Sequence, residues 1–183
     1  VFNTKIAFAA VSGKKSKEIF VMDMDGYKPF SVTKNKSINI SPSFSPNGGS
    51  VVFTSYMRGN PDIYVSKIGG GSLRRLSSGK GSNLTPAWSP LGNPIAFASS
   101  ANSLANLYTV SSTGRGMHRL TRNYNIDISP SWSPGGESIV FASERAGGLH
   151  LFKTSAAGGG TERLTFVGYQ NDMPDWSPMG DKI

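Results

Sequence analysis

Ser41-Pro42-Ser43-Phe44-Ser45-Pro46 returns three more times down the chain. The copies are Thr85-Pro86-Ala87-Trp88-Ser89-Pro90, Ser129-Pro130-Ser131-Trp132-Ser133-Pro134 and Met173-Pro174-Asp175-Trp176-Ser177-Pro178. Pro42, Pro86, Pro130 and Pro174 stand 44 residues apart, as do Phe44, Trp88, Trp132 and Trp176, and Gly48, Gly92, Gly136 and Gly180. Four copies in one register are an internal repeat. A period of that size holding several short apolar runs is the signature of a propeller blade or a solenoid turn.

Working outward from Pro42, each unit contains four short β-prone segments with turn residues between them. In one unit they fall near 42–45, 50–55, 62–67 and 73–77. The second segments align Val51, Ile95, Ile139 and Ile183, and the third align Ile19-Phe20, Ile63-Tyr64, Leu107-Tyr108 and Leu151-Phe152. The fourth segments end on Val32-Thr33, Leu76-Ser77, Leu120-Thr121 and Leu164-Thr165. No stretch of ten or more residues carries the apolar spacing of a helix. The expected fold is all-β, a β-propeller of four-stranded antiparallel blades with about four blades present. The units read as 1–40, 41–84, 85–128 and 129–172, with the start of another over 173–183. Ile6-Ala7-Phe8 matches Ile95-Ala96-Phe97 at an offset of 89, which places one extra residue in the loop around Gly13 to Lys17.

The turns follow from their residues. Ser45-Pro46-Asn47-Gly48 sets proline where φ near −65° starts a turn and glycine where φ is often positive. Asp23 and Asp25 before Gly26 suit a turn stabilised by side-chain-to-backbone bonds, with calcium binding as the functional alternative.

The composition narrows the class. Apolar content of 37% with 22 glycines and 11 prolines among 183 residues suits a loop-rich globular fold. No run of about 18 apolar residues occurs, so no membrane span is expected. No secretory signal pattern is visible, and Val1 reads as mid-fold. Without cysteine the chain has neither disulfides nor thiolate metal sites. The net charge of +8 concentrates at Lys14, Lys15 and Lys17 and at Lys34 and Lys36. These read as solvated loops or as a site for an anionic partner.

The repeat Pro-x-Trp-Ser-Pro-x-Gly-x-x-Ile-x-Phe, followed by Leu-Tyr or Ile-Tyr, a glycine turn and Arg-Leu-Thr, resembles the TolB-type propeller repeat across essentially the whole chain. The first unit, with Asp23-Met24-Asp25-Gly26-Tyr27, resembles the opening blade of that family. The stretch from Arg163-Leu164-Thr165 to Gly168 and Asn171 resembles a further family segment. The chain departs from the family at Asn47, Leu91, Gly135 and Met179, where aspartate is usual. The resemblance implies a six-bladed ring, of which this chain is an open arc, preceded by an α/β domain. It also implies a periplasmic component of the Tol–Pal envelope machinery whose propeller binds Pal, the peptidoglycan-associated lipoprotein. Other Tol proteins would contact the amino-terminal domain.

Chemistry-bearing residues are few. His118 and His150 occupy unrelated repeat positions, and no Gly-x-Ser-x-Gly elbow is present. His118 reads as a surface residue, and His150 as an exposed polar strand start in the place of Glu18, Asp62 and Asn106. No metal-ligand spacing of the His-x-x-x-His type occurs, so no catalytic residue, metal or cofactor is expected. The recurring aromatics read as core between blades, and nucleic-acid binding is not expected because it would need those rings exposed among basic residues.

The informative loops lead into each inner strand, over 35–41, 79–85, 123–129 and 167–173. There the repeat relaxes while its flanks hold, as expected where function is grafted on a scaffold. Asn39, Asn83, Asp127 and Asn171 stay polar three residues before the aligned proline. In a propeller these loops gather at one mouth of the central channel. The resemblance places the Pal-binding face there, with Asn39, Ser41, Asn83, Thr85, Asp127, Ser129, Asn171 and Asp172 as the candidate contact residues. The alternative is that these side chains bond backbone between blades. Two other functions compete with a protein-binding scaffold: a substrate-gating propeller of a larger serine peptidase, and a carbohydrate-binding or lyase propeller.

Overall fold

The computed structural model describes residues 4–71 and 73–183; the expectation for Val1 lies outside them. Fifteen strands form four antiparallel sheets, each with its strands in chain order. The first sheet has three strands, β1 (Lys5–Gly13), β2 (Ser16–Asp23) and β3 (Phe30–Ser31). The second holds β4 (Asn39–Phe44), β5 (Ser50–Arg58), β6 (Asn60–Lys67) and β7 (Arg74–Arg75). The third holds β8 (Asn83–Trp88), β9 (Ile95–Ser99), β10 (Asn106–Val110) and β11 (His118–Arg119). The fourth holds β12 (Asp127–Trp132), β13 (Ser138–Ser143), β14 (His150–Ser155) and β15 (Thr161–Arg163). This is the expected all-β propeller, without a helix among the described residues.

Register repeats from blade to blade. Phe53 faces Tyr64, Phe97 faces Tyr108 and Phe141 faces Phe152 across the second and third strands, with ring centroids 6.1–6.3 Å apart. In the first blade Phe8 faces Phe20, and its hairpin shifts register between Val11 and Gly13, as β5–β6 does between Ser55 and Arg58. The extra residue inferred from the 89-residue offset lies in the tip of that hairpin, between the paired Ala10 and Glu18, where the paired Ser55 and Asp62 are one residue closer in the chain.

The core lies between blades rather than inside any one of them. Ile19, Val21 and Val32 of the first blade pack with Val51, Phe53 and Tyr64 of the second. Val52, Ile63 and Leu76 then pack with Ile95, Phe97 and Tyr108, and Leu107 and Leu120 with Trp132, Ile139 and Phe141. A single blade has no dry interior, so its stability is a nearest-neighbour property.

The fourth strands are shorter than the sequence suggests. Only two or three residues pair, and the ladder continues through a side chain. Leu76 donates its N–H to the Ile63 carbonyl at 2.8 Å, and Ile63 donates in return to the Ser77 hydroxyl at 2.9 Å. Thr33, Thr121 and Thr165 accept in the same way from Ile19, Leu107 and Leu151. The hydroxyl of the Leu-Thr motif stands in for a backbone carbonyl.

Each Ser-Pro-x-Gly turn closes as expected, with Gly48, Gly92, Gly136 and Gly180 donating to Ser45, Ser89, Ser133 and Ser177 at 2.8–2.9 Å. Gly136 has φ +79°, and a Cβ there would lie 2.8 Å from Cγ of Leu91 in the preceding blade. Residues 173–183 form this turn but no strand. An inner strand exists through pairing with a second strand, and the chain's own residues near Ile183 do not provide that pairing.

Candidate functional site

Each inner strand enters its blade through a bulge. Register shifts lie between Ile40 and Ser43, Leu84 and Ala87, and Ile128 and Ser131. The residue at the bulge is left-handed although it is not glycine: Ser41 (φ 53°), Thr85 (48°) and Ser129 (53°), with Met173 (52°) in the next unit. Proline follows each, where a bulge needs no N–H donor. Such φ values cost of order 1–3 kcal/mol each and persist only where the surroundings over-determine them. The four residues and their prolines converge on one axial cavity of about 200 Å³. This is the channel mouth, and the lead-in loops form its rim.

Beneath the rim polar side chains tie neighbouring blades, drawn from three positions of the repeat that bond one another at the first two junctions. One is the strand-three start (Glu18, Asp62, Asn106, His150), another the hydroxyl after the fourth strand (Thr33, Ser77, Thr121, Thr165). The third comes from the next lead-in loop (Asn39, Asn83, Asp127, Asn171). Glu18 accepts from Thr33 at 2.5 Å, from Asn39 at 3.0 Å and from the Lys36 N–H at 2.7 Å. Asp62 accepts from Asn83 at 3.0 Å, Ser77 at 3.3 Å and Arg75 at 2.5 Å. At the next junction Asn106 accepts from the Asn123 N–H at 3.3 Å. At the last, His150 Nδ1 lies 3.4 Å from both Thr165 and Asn171. These strand starts are buried, so the expectation that His150 occupies an exposed one is corrected: it is 6% exposed, covered by Thr165 and the loop that carries Asn171. His118 is exposed on β11, as expected.

One junction differs. Asp127 is fully buried, and both its carboxylate oxygens accept from Nη2 of Arg145, at 3.0 Å each. The guanidinium also lies over Phe141 and Phe152, 5.4 and 5.0 Å from the ring centres. The positions equivalent to Arg145 are Met57 and Ala101, and where they occur the clasp residue is Asn39 or Asn83. The carboxylate and its cation thus enter together.

The eight candidate residues therefore divide. Asn39 and Asn83 are buried in the clasps, Asp127 is buried in its pair with Arg145, and Asn171 is half-buried and also donates to the Val167 carbonyl at 3.1 Å. Ser41, Thr85 and Ser129 line the axial cavity. Asp172 is exposed on the rim. The bare outer face of the rim belongs to residues not on that short list. Positions 36, 80 and 124 of the repeat hold Lys36, Lys80 and Tyr124, all exposed, and Tyr169 is 90% exposed. Their signal in the sequence is the contrast between fixed flanks and changing side chains at a constant offset.

Toward the other end of the inner strands the recurring aromatics Phe44, Trp88 and Trp132 line a second cavity. Trp132 is buried between blades and donates its indole N–H to the Ala87 carbonyl at 3.1 Å, while Trp88 donates to Gly92 at 2.9 Å. They are core, as the sequence implies. Asp23 bonds Lys5 at 2.6 Å, which holds its carboxyl below the usual range, and Asp25 accepts the Tyr27 N–H at 3.1 Å. Of the two expected turn carboxylates only Asp25 bonds the turn through its side chain; Asp23 closes the turn through its backbone carbonyl, which accepts the Gly26 N–H at 2.9 Å. Among the described residues no group of three or more His, Asp or Glu is placed to hold a metal ion. No helix there is long and apolar enough to cross a membrane.

Known proteins share this architecture. The "Tol-Pal system protein TolB" of Desulfosudis oleivorans is 43% identical over 68 residues, 37% of this chain and 15% of that protein. The structure of TolB from Acinetobacter baumannii superposes with a TM-score of 0.88 at 27% identity, covering 98% of this chain and 46% of that one. That of a putative TolB from Agrobacterium tumefaciens gives 0.86 at 29% identity, over 97% of this chain and 68% of that one. The chain thus spans under half of the Acinetobacter protein, and its match to the Desulfosudis protein covers a smaller share still. The family described as the TolB beta propeller domain matches residues 1–183. With blades, register and repeat all in agreement, the chain belongs to the TolB beta propeller domain family.

Proposed function

We propose that this chain is a non-catalytic, periplasmic protein-binding propeller whose channel mouth docks a Pal-like peptidoglycan-associated lipoprotein. One observation carries the reading. Buried polar bonds, by clasp or by the Asp127–Arg145 pair, hold the lead-in loops, while the exposed positions above them change from lysine to tyrosine around the rim. A rigid scaffold presenting a varied surface is the arrangement expected of a partner site on a fold that hosts many functions. The relatives' names supply the partner system. Contact with other Tol proteins falls, in this reading, to an amino-terminal domain outside these residues.

Within the mouth, Ser41, Thr85, Ser129, Asn171 and Asp172 offer polar contacts around the axis. Asn39, Asn83 and Asp127 act from below by fixing the loops. Charge reversal at Asn83 or Asp127 would break a clasp and unfold a junction, so it does not separate binding from folding. Calorimetric titration with the soluble Pal domain of the same genome tests the reading. Binding that weakens at least fivefold in the double variant Tyr124→Ala/Asp172→Lys, with an unchanged circular-dichroism spectrum, supports it. Full affinity in that variant contradicts it.

A further inference from the structure

The two lysine clusters of the sequence meet on one part of the rim. The β1–β2 turn carries Lys14 and Lys15, and the loop before β4 carries Lys34 and Lys36. The chain stitches these segments together through a parallel bridge between Lys17 and Ile38 and a Lys17 N–H bond to the Ser37 carbonyl at 3.0 Å. Lys36 is held left-handed, at φ 57°, with its N–H on the buried Glu18 carboxylate at 2.7 Å. That carboxylate spends its oxygens on Thr33, Asn39 and this N–H, and it forms no ion pair with the lysines above. Lys14, Lys15, Lys34 and Lys36 are exposed, as is Arg58 on the neighbouring β5–β6 turn. None of these five makes an ion pair among the described residues.

The patch also has an apolar centre. Ile38 and Met57 are 41% and 39% exposed, and the Tyr56 N–H donates to the Ile38 carbonyl at 2.9 Å, so they lie side by side. An apolar centre within a charged ring is the anatomy of a protein interface. Single-stranded nucleic acid asks for something else, aromatic rings interleaved with the cations. The exposed rings of the rim, Tyr124 and Tyr169, stand on the far blades instead.

We infer that this basic quarter of the rim, centred on Ile38 and Met57, docks an acidic protein face that carries an apolar residue. The inference rests on the reading of the mouth as a partner site and specifies which side of the partner meets the first two blades. The cations steer the encounter, so their effect falls on association rate and its salt dependence. Ile38 and Met57 govern dissociation.

The test is stopped-flow association of the full chain with the soluble Pal domain, in about 20 and about 200 mM salt. The variant is Lys14→Glu/Lys15→Glu/Lys34→Glu/Arg58→Glu, all at exposed positions. Decaglutamate peptide, single-stranded DNA and phosphatidylglycerol vesicles are measured in parallel. The inference expects wild-type association to slow at least tenfold with salt, the variant to be at least tenfold slower at low salt, and Ile38→Ser to speed dissociation. Equal rates for variant and wild type, with Pal still bound, overturn the inference and leave the mouth reading standing. If wild type does not bind Pal, the mouth reading fails, and the peptide decides the inference. Capture by wild type and not by the variant upholds an acidic partner; no capture overturns it. Tighter capture of DNA or vesicles than of the acidic probes also overturns it.

Discussion

Asp62 and Asn83 lie in adjacent blades and share a buried hydrogen bond of 3.0 Å, which ties the third strand of the second blade to the first strand of the third. Asp62 also holds Ser77 and Arg75. Asp62→Ala removes the acceptor of all three and leaves buried donors unmatched, at a cost of about 3 kcal/mol. Asp62→Asn keeps an acceptor, as Asn106 does one blade later, and costs about 1 kcal/mol. Urea unfolding checks the order of the two.

The Asp127–Arg145 pair gives a sharper test. Arg145→Ala strands a fully buried carboxylate and is expected to cost about 3 kcal/mol. Adding Asp127→Asn recreates the Asn83/Ala101 combination of the preceding blade. The double variant therefore recovers most of the loss, and a double-mutant cycle reads a coupling of about 2 kcal/mol. Additive losses would contradict the pairing.

Tyr64 sits where the first and fourth blades have Phe20 and Phe152. It is 3% exposed and its hydroxyl finds no partner among the described residues. Burial pushes the phenol above its ordinary value. The folded state therefore holds this proton more tightly than the unfolded one. Folding stability is unaffected by ionisation of this group below a pH of about 10 and declines as pH rises from there through the raised folded value. Tyr64→Phe is expected to be neutral or stabilising by up to about 1 kcal/mol at pH 7. It should also flatten the alkaline decline, read as the wild-type-minus-variant difference in urea midpoint between pH 8 and 11.

Gly136→Ala adds a Cβ at a left-handed φ and drives it against Leu91 of the neighbouring blade. A loss of about 2 kcal/mol is expected. Leu91→Ala in the same chain relieves the contact and leaves the backbone cost, so the two parts separate by thermal unfolding.

The blades, their register and the aromatic core were legible because a 44-residue period compares the chain with itself. Position 33 of the repeat illustrates the limit. Thr33, Ser77, Thr121 and Thr165 are visibly equivalent, yet their hydroxyls accept ladder hydrogen bonds, which residue type alone does not announce. The retained Asn39, Asn83 and Asp127 were likewise visible, while the direction they face depends on the blade next door. The left-handed bulges at Ser41, Thr85 and Ser129 left no mark because no glycine occupies them. The lysine patch was split in sequence between 14–17 and 34–36 and is joined only by the Lys17–Ile38 bridge.

The mouth as partner site is tested most directly by amide hydrogen exchange of the full chain with and without the soluble Pal domain. The account predicts protection on binding at the lead-in loops 35–41, 79–85, 123–129 and 167–173, and unchanged exchange at the Ser-Pro-x-Gly turns 45–48, 89–92 and 133–136. Protection at those turns with the loops unaffected would place the partner at the opposite end of the channel and contradict the account.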